Sequence, residues 1–210
     1  MRLGRLLLAC LLTTALAACA ANRVKTDLTY EGTYHSYEQF VDTWTRTGRI
    51  YHYFGTQAIV SATYFSLPMR RAFASEWGRA YDLPMEEREK VLDEQIDHAK
   101  KRVEFVISFY TPKERFNDLD EPDSSWRLWL IDAQGVKVEA SKIERLRIRH
   151  KKEYLFFPSY TEWSRLYRVY FPAVGPDGRP LVTESGAVTL RVTGVEGMAD
   201  LVWEIAPVAH

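Results

Sequence analysis

Cysteine is nearly missing from this chain, with two among 210 residues. Both, Cys10 and Cys19, lie in the first nineteen positions, so no disulfide can cross-link the body of the protein, and packing must hold it together. Net charge is also lacking, with 28 basic against 28 acidic residues. That balance gives no global argument for nucleic acid or for an anionic surface. The five histidines (His35, His52, His98, His150 and His210) show neither HxxxH nor HExxH spacing and have no cysteines to join them, which argues against a zinc site. No serine sits in a G-x-S-x-G elbow. Gly194 and Gly197 flank only Val195-Glu196, the wrong context for a phosphate-cradling loop. No catalytic residue is nominated, and no cofactor is expected. Internal repeats and low-complexity tracts are absent, as is any run of the roughly 20 apolar residues that a spanning helix needs.

What is present begins with the leader. Arg2 and Arg5 precede the apolar run Leu6–Leu12, and no acidic residue occurs before Asp27. The run is short and ends in small residues, as in a cleavable secretory signal. Leu16-Ala17-Ala18-Cys19 resembles the bacterial lipobox: an aliphatic residue, two small residues, then cysteine. The resemblance implies removal of residues 1–18, diacylglycerol on the Cys19 sulfur and acylation of the new amino terminus. Two or more chains anchor stably, at ~0.8 kcal/mol per buried methylene. The alternative is an ordinary signal cut after Ala18 that leaves Cys19 free. In lipoproteins of two-membrane bacteria, aspartate after the lipidated cysteine marks inner-membrane retention. Ala20 stands there instead, so the expected place is the outer membrane, facing the periplasm, if the source has two membranes.

Residues 19–35 read as lipidated cysteine and polar tether, and residues 36–210 as one domain. Ser36 and Gln39 fit a capping box, with Tyr37, Phe40, Val41 and Trp44 as the apolar face of a helix over 36–47 that Gly48 ends. Ser66 and Pro68 open a second helix (67–82) with the stripe Met69, Ala72, Phe73, Trp77 and Ala80. Pro84 opens a third (84–101), whose buried face carries Leu92, Ile96, Ala99 and Val103. Residues 57–65 form the first long strand. From residue 102 the apolar period becomes two: Phe105, Ile107 and Phe109, then Trp126, Leu128 and Leu130, a short partner at 136–139, and Leu146 with Ile148. Tyr167, Val169 and Phe171 follow, then Val188, Leu190 and Val192, and last Leu201, Trp203 and Ile205. Seven or eight short strands with turns between them predict a mainly β (α+β) fold. The expected form is an antiparallel immunoglobulin-like β-sandwich with two helices inserted between its first strands. A small β-barrel with helical decoration is the runner-up.

The body of the chain also resembles small envelope lipoproteins of unassigned function, through Trp44-Thr45-Arg46 and the stretch from Phe116-Asn117-Asp118-Leu119-Asp120 to Ser125-Trp126-Arg127. The resemblance implies no activity. Three local features invite a functional reading, each beside a plainer one. Asn117, Asp118, Asp120 and Asp123, with Glu121, crowd one loop, either as oxygen ligands for a hard cation or as a solvated turn. Arg145, Arg147 and Arg149 alternate along one predicted strand. They either meet phosphate or carboxylate groups or form its solvent face, a reading that shifts toward contact if the strand is at a sheet edge. Tyr51–Phe54 and Tyr154–Tyr160 are stacking platforms for glycan or anchors of core and loop, and Phe156-Phe157 is a contact patch only if exposed. The expected function is that of a non-enzymatic envelope module, held on the membrane by lipid on Cys19 and touching another envelope protein or cell-wall component. Binding of a ligand, glycan or cation is the alternative. An envelope hydrolase comes third, and would need His150, Glu153 and another acid gathered in one cleft.

Overall fold

In a computed structural model, residues 23–24, 34–183 and 185–205 are described; Cys19 and the leader lie outside them. Among the described residues ten strands form two five-stranded sheets. The first sheet has the order β1-β10-β9-β5-β6, from Arg23–Val24, Gly197–Ile205, Gly186–Gly194, Arg127–Ile131 and Lys137–Glu139. The second has the order β2-β3-β4-β8-β7, from Thr45–His52, Gly55–Tyr64, Arg102–Tyr110, Arg165–Pro172 and Lys142–Leu146. All pairings are antiparallel except that of β1, which runs parallel to the end of β10 within the segment expected as tether. The predicted sandwich is what forms, with more strands than the seven or eight expected. Among the described residues no strand pairing closes the sheets into the runner-up barrel.

Two strands were not expected, the short β1 and the longer β2. Helix α1 (Tyr34–Trp44) ends before Gly48, because β-branched Thr45 and Thr47 favour strand. Their hydroxyls meet Thr63 Oγ1 at 2.7 Å and Ser61 Oγ at 2.9 Å across the β2–β3 ladder. Gly48 serves close approach of the sheets instead of a helix stop: a Cβ there would lie 2.9 Å from that of Ala199. The predicted face of α1 is right, with Tyr37, Phe40, Val41 and Trp44 all buried.

Between the sheets lies an aromatic core. Trp203 is fully buried and donates its indole N–H to the Trp44 carbonyl at 2.7 Å, fixing β10 to the end of α1. Each such side chain contributes about 1.5–3 kcal/mol by leaving water. Trp126 donates likewise to Phe116 O at 2.8 Å, and Gly194 leaves room for its ring, which a Cβ would approach to 2.6 Å.

Helices α2 (Leu67–Ala80) and α3 (Met85–Lys101) lie on the outer face of the second sheet, between β3 and β4 as expected. Ser66 caps α2 by accepting from Met69 N at 3.3 Å, with Pro68 in the first turn. Gly78 lets α3 come close, since a Cβ there would meet Arg88 Cγ at 2.7 Å. Two expectations about α3 need correction. Leu92, Ile96 and Ala99 are only half-buried, because α3 is the outermost layer, and Val103 belongs to β4. Conversely, α2 is enclosed on most sides and buries Arg70 and Glu76 as well as its apolar stripe. On the outer face of β4, Glu104 accepts from Arg70 at 2.6 Å and lies 3.0 Å from Arg168, while Arg70 also donates to Gln95 Oε1 at 3.0 Å. A buried carboxylate with two guanidiniums is thus roofed by the helical pair.

Candidate functional sites

The β2–β3 and β9–β10 hairpins meet at one end of the sandwich. Tyr53 and Phe54 span the turn between His52 and Gly55, with Tyr53 at φ 52°. That left-handed conformation is uncommon and costly for a bulky residue. Opposite, Val195 and Glu196 span the β9–β10 turn, where Gly197 has φ 139° and a Cβ would crowd Ile50 Cγ2 at 3.0 Å. His52 Nδ1 lies 3.4 Å from a Glu196 oxygen and ties the tips together. Beside this exposed pair, large apolar and aromatic side chains face water: Phe54 is 106% exposed, Tyr53 89% and Val195 87%, with Tyr51 and Met198 also exposed. Of the two aromatic segments, this one is presented. The other is mostly packed: Phe156 is buried against Phe73 and Trp77, and Phe157 is half-buried.

The acidic loop is built as a plug. Asn117 is buried; its Nδ2 donates to Phe109 O at 2.8 Å, while its own carbonyl and Oδ1 accept from Tyr167 Oη at 2.8 and 3.0 Å. Arg165 also donates to that carbonyl. Burial, followed by the nearby Asp120 charge, pushes the Tyr167 phenol up to about 12. Asp118 accepts from Ser124 Oγ at 2.9 Å, whereas Asp120 and Asp123 are exposed. The amide and one carboxylate therefore serve the loop itself. Among the described residues no three His, Cys, Asp or Glu side chains gather where they could hold a metal ion.

Strand β7 is a sheet edge. It stops at Leu146, so Arg145 alone lies within it, and Arg147 and Arg149 follow in irregular chain, with Ile148 likewise outside the strand expected to hold it. All three arginines are exposed. Arg147 and Arg149 overhang a cleft of about 470 Å³ between the helical pair and the second sheet, floored by Phe73, Trp77, Phe157 and Leu166. Glu153 lines the same cleft, but its carboxylate accepts from Arg149 N at 3.0 Å, just ahead of the 3-10 turn Lys151–Phe156. His150 is exposed and does not line the cleft, so the described residues do not gather it there with Glu153 and the other lining acid, Glu94.

A further groove, of about 410 Å³, escaped the sequence reading. It lies on the outer face of the second sheet beyond the helices and is lined by Ile59, Ser61, Ser108, Tyr110, Ser159, Thr161, Trp163 and Ser164. Alternation in β3 and β4 does place Ser61 and Ser108 outward, which was a usable signal. The position of Trp163 depends on a turn whose neighbours are distant in sequence. Among the described residues no helix is long and apolar enough to cross a membrane. No family model, curated protein or solved structure matches the chain.

Proposed function

We propose that the protein is a lipid-anchored envelope module that docks, without catalysis, on another envelope protein or cell-wall component through the aromatic end of its sandwich. The observation that carries this reading is the cluster Tyr51, Tyr53 and Phe54 beside Val195 and Met198, held in water by two abutting hairpins. Contiguous exposed apolar groups mark contact surfaces, and Tyr and Phe are enriched in interfaces. The positive φ of Tyr53 adds support, because strained residues tend to persist where they serve a site.

The leader and Leu16-Ala17-Ala18-Cys19 support the anchor, and the position of β1 supports an orientation. Arg23 pairs with Glu204, whereas the aromatic tips adjoin Gly197 at the other end of β10, roughly 23 Å away at ~3.3 Å per residue. Cys19 precedes Arg23 by four residues, a reach of at most ~14 Å. The docking end then points away from the anchoring membrane, into the periplasm and toward the cell wall if that membrane is the outer one of a two-membrane cell. The exposed Arg145, Arg147 and Arg149 offer a second, electrostatic contact to anionic groups of the same partner.

A photo-crosslinking residue placed at Tyr53 or Phe54 in living cells tests the reading. The expected result is a discrete adduct from both positions that is lost with Cys19→Ala and absent from position Lys90 on α3. Equal labelling from all three positions, or none from the hairpin, overturns it.

A further inference from the structure

We propose that the uncharged groove on the outer face of the second sheet binds a neutral saccharide, with Trp163 as the platform on which a sugar ring stacks. This inference is independent of the aromatic hairpin end and of the lipid anchor.

Geometry makes the first argument. In the residues Thr161-Glu162-Trp163-Ser164 the Ser164 N–H donates to Thr161 O at 3.0 Å, closing a turn. The Ser164 hydroxyl locks it by accepting from Thr161 N at 3.0 Å and donating to Thr161 O at 2.9 Å. The turn holds Trp163 out, 79% exposed, and among the described residues its ring and N–H have no partner. A large flat side chain fixed on a rigid turn and left without a neighbour is prepared for a flat apolar surface, such as the C–H face of a pyranose.

The second argument is the chemistry of the floor. Ser61 and Ser108 are directly opposite each other in the β3–β4 ladder. Ser108 donates its proton to Ser164 Oγ at 2.8 Å, which leaves its own oxygen lone pairs to accept. Ser61 shares a hydrogen bond with Thr47, and the Tyr110 hydroxyl has no partner among the described residues, so it can donate. Alternating hydroxyl acceptors and donors under an aromatic wall match a ligand that carries many hydroxyls of its own.

Charge is the third. Among the described residues no Asp, Glu, Lys, Arg or His lines the groove, in a chain of which 27% is charged. An anionic or cationic ligand would find no counter-charge there, and a purely apolar one would leave the hydroxyls unpaired. The volume of about 410 Å³ lies in the range of small-molecule sites.

The test is isothermal titration of the full chain, held in a non-glycosidic detergent so that detergent sugars do not compete. The probes are chitohexaose, cellohexaose and maltohexaose, with an oligogalacturonate as the charged comparison. At least one neutral oligosaccharide should bind, and Trp163→Ala should weaken it about tenfold or more, with the thermal midpoint unchanged because the ring is exposed. Tyr110→Phe should weaken it less, through one lost hydroxyl. Co-sedimentation with isolated cell-wall sacculi separates the two sources of such a ligand. Trp163-dependent sedimentation assigns wall glycan, and Trp163-dependent binding of soluble probes alone assigns a free saccharide. The proposal is overturned if no neutral probe and no sacculus is bound, if binding is indifferent to Trp163→Ala, or if the oligogalacturonate is preferred.

Discussion

The outer face of the second sheet has two halves that handle polarity in opposite ways. Under α2 and α3 the sheet buries charge: Glu104 between Arg70 and Arg168, with Gln95 completing the shell. Beyond the helices the same strands present neutral hydroxyls, Thr47, Ser61 and Ser108, beside Trp163. Where helices exclude water, a charge is tolerable only when paired, and removing one partner strands the other. Where the face is open, hydroxyls can exchange protein partners for water or a ligand at little cost. One sheet thus carries a structural half and a half free to bind.

The largest break in this contrast is Glu104→Gln, which leaves Arg70 and Arg168 facing each other without their carboxylate. A loss of about 3–5 kcal/mol in urea-unfolding free energy is expected, and a loss below 1 would mean that the roof does not exclude water. Next comes Gly78→Val, which drives a side chain into Arg88 and levers α3 off α2. About 1–3 kcal/mol should be lost, with faster amide exchange over 85–101 but not over the groove strands.

Tyr167→Phe, on the inward face of β8, gives a control from the core. It removes the phenol bond to the Asn117 loop and should cost about 1 kcal/mol. It also carries a pH signature. The phenol titrates at 10.0 when unperturbed and at about 12 in the fold. Below pH 10 both states keep the proton and this contribution to stability is complete; from pH 10 to 12 only the unfolded chain ionises, and stability falls. The thermal midpoint of the parent should drop across that window, and Tyr167→Phe should flatten the drop. The smallest effect belongs to the open half: Trp163→Ala should shift unfolding free energy by no more than ~0.5 kcal/mol. A larger change would show that the indole is part of the packing.

Much of this arrangement was legible in the order of residues, and the failures have physical causes. The apolar faces of α1 and α2, the cap at Ser66, the helix start at Pro84 and the period-two strands from residue 102 are local features, legible from neighbouring residues. Strand β2 was hidden because Gly48 reads locally as a helix stop. Its actual reason, the nearness of Ala199, lies 151 positions away. The crowded carboxylates around Asn117 resembled a cation loop because composition cannot show that Tyr167 already occupies the amide carbonyl. Arg147 and Arg149 were read as strand because alternation continues after the β7 pairing stops at Leu146.

The sequence by itself determined the class of fold, the positions of the helices and most strands, the dependence on packing in place of disulfides, and the expectation of a lipid-bearing Cys19. These follow from short-range periodicity, from cysteine count and from a contiguous leader. Only the tertiary structure decided which aromatic residues face water, that Arg70 and Glu104 share a buried pair, that β7 is an edge, and that hydroxyls from two strands and one turn meet beneath Trp163. Each of those depends on residues far apart in the chain becoming neighbours, and burial is a property of neighbours that no local pattern encodes.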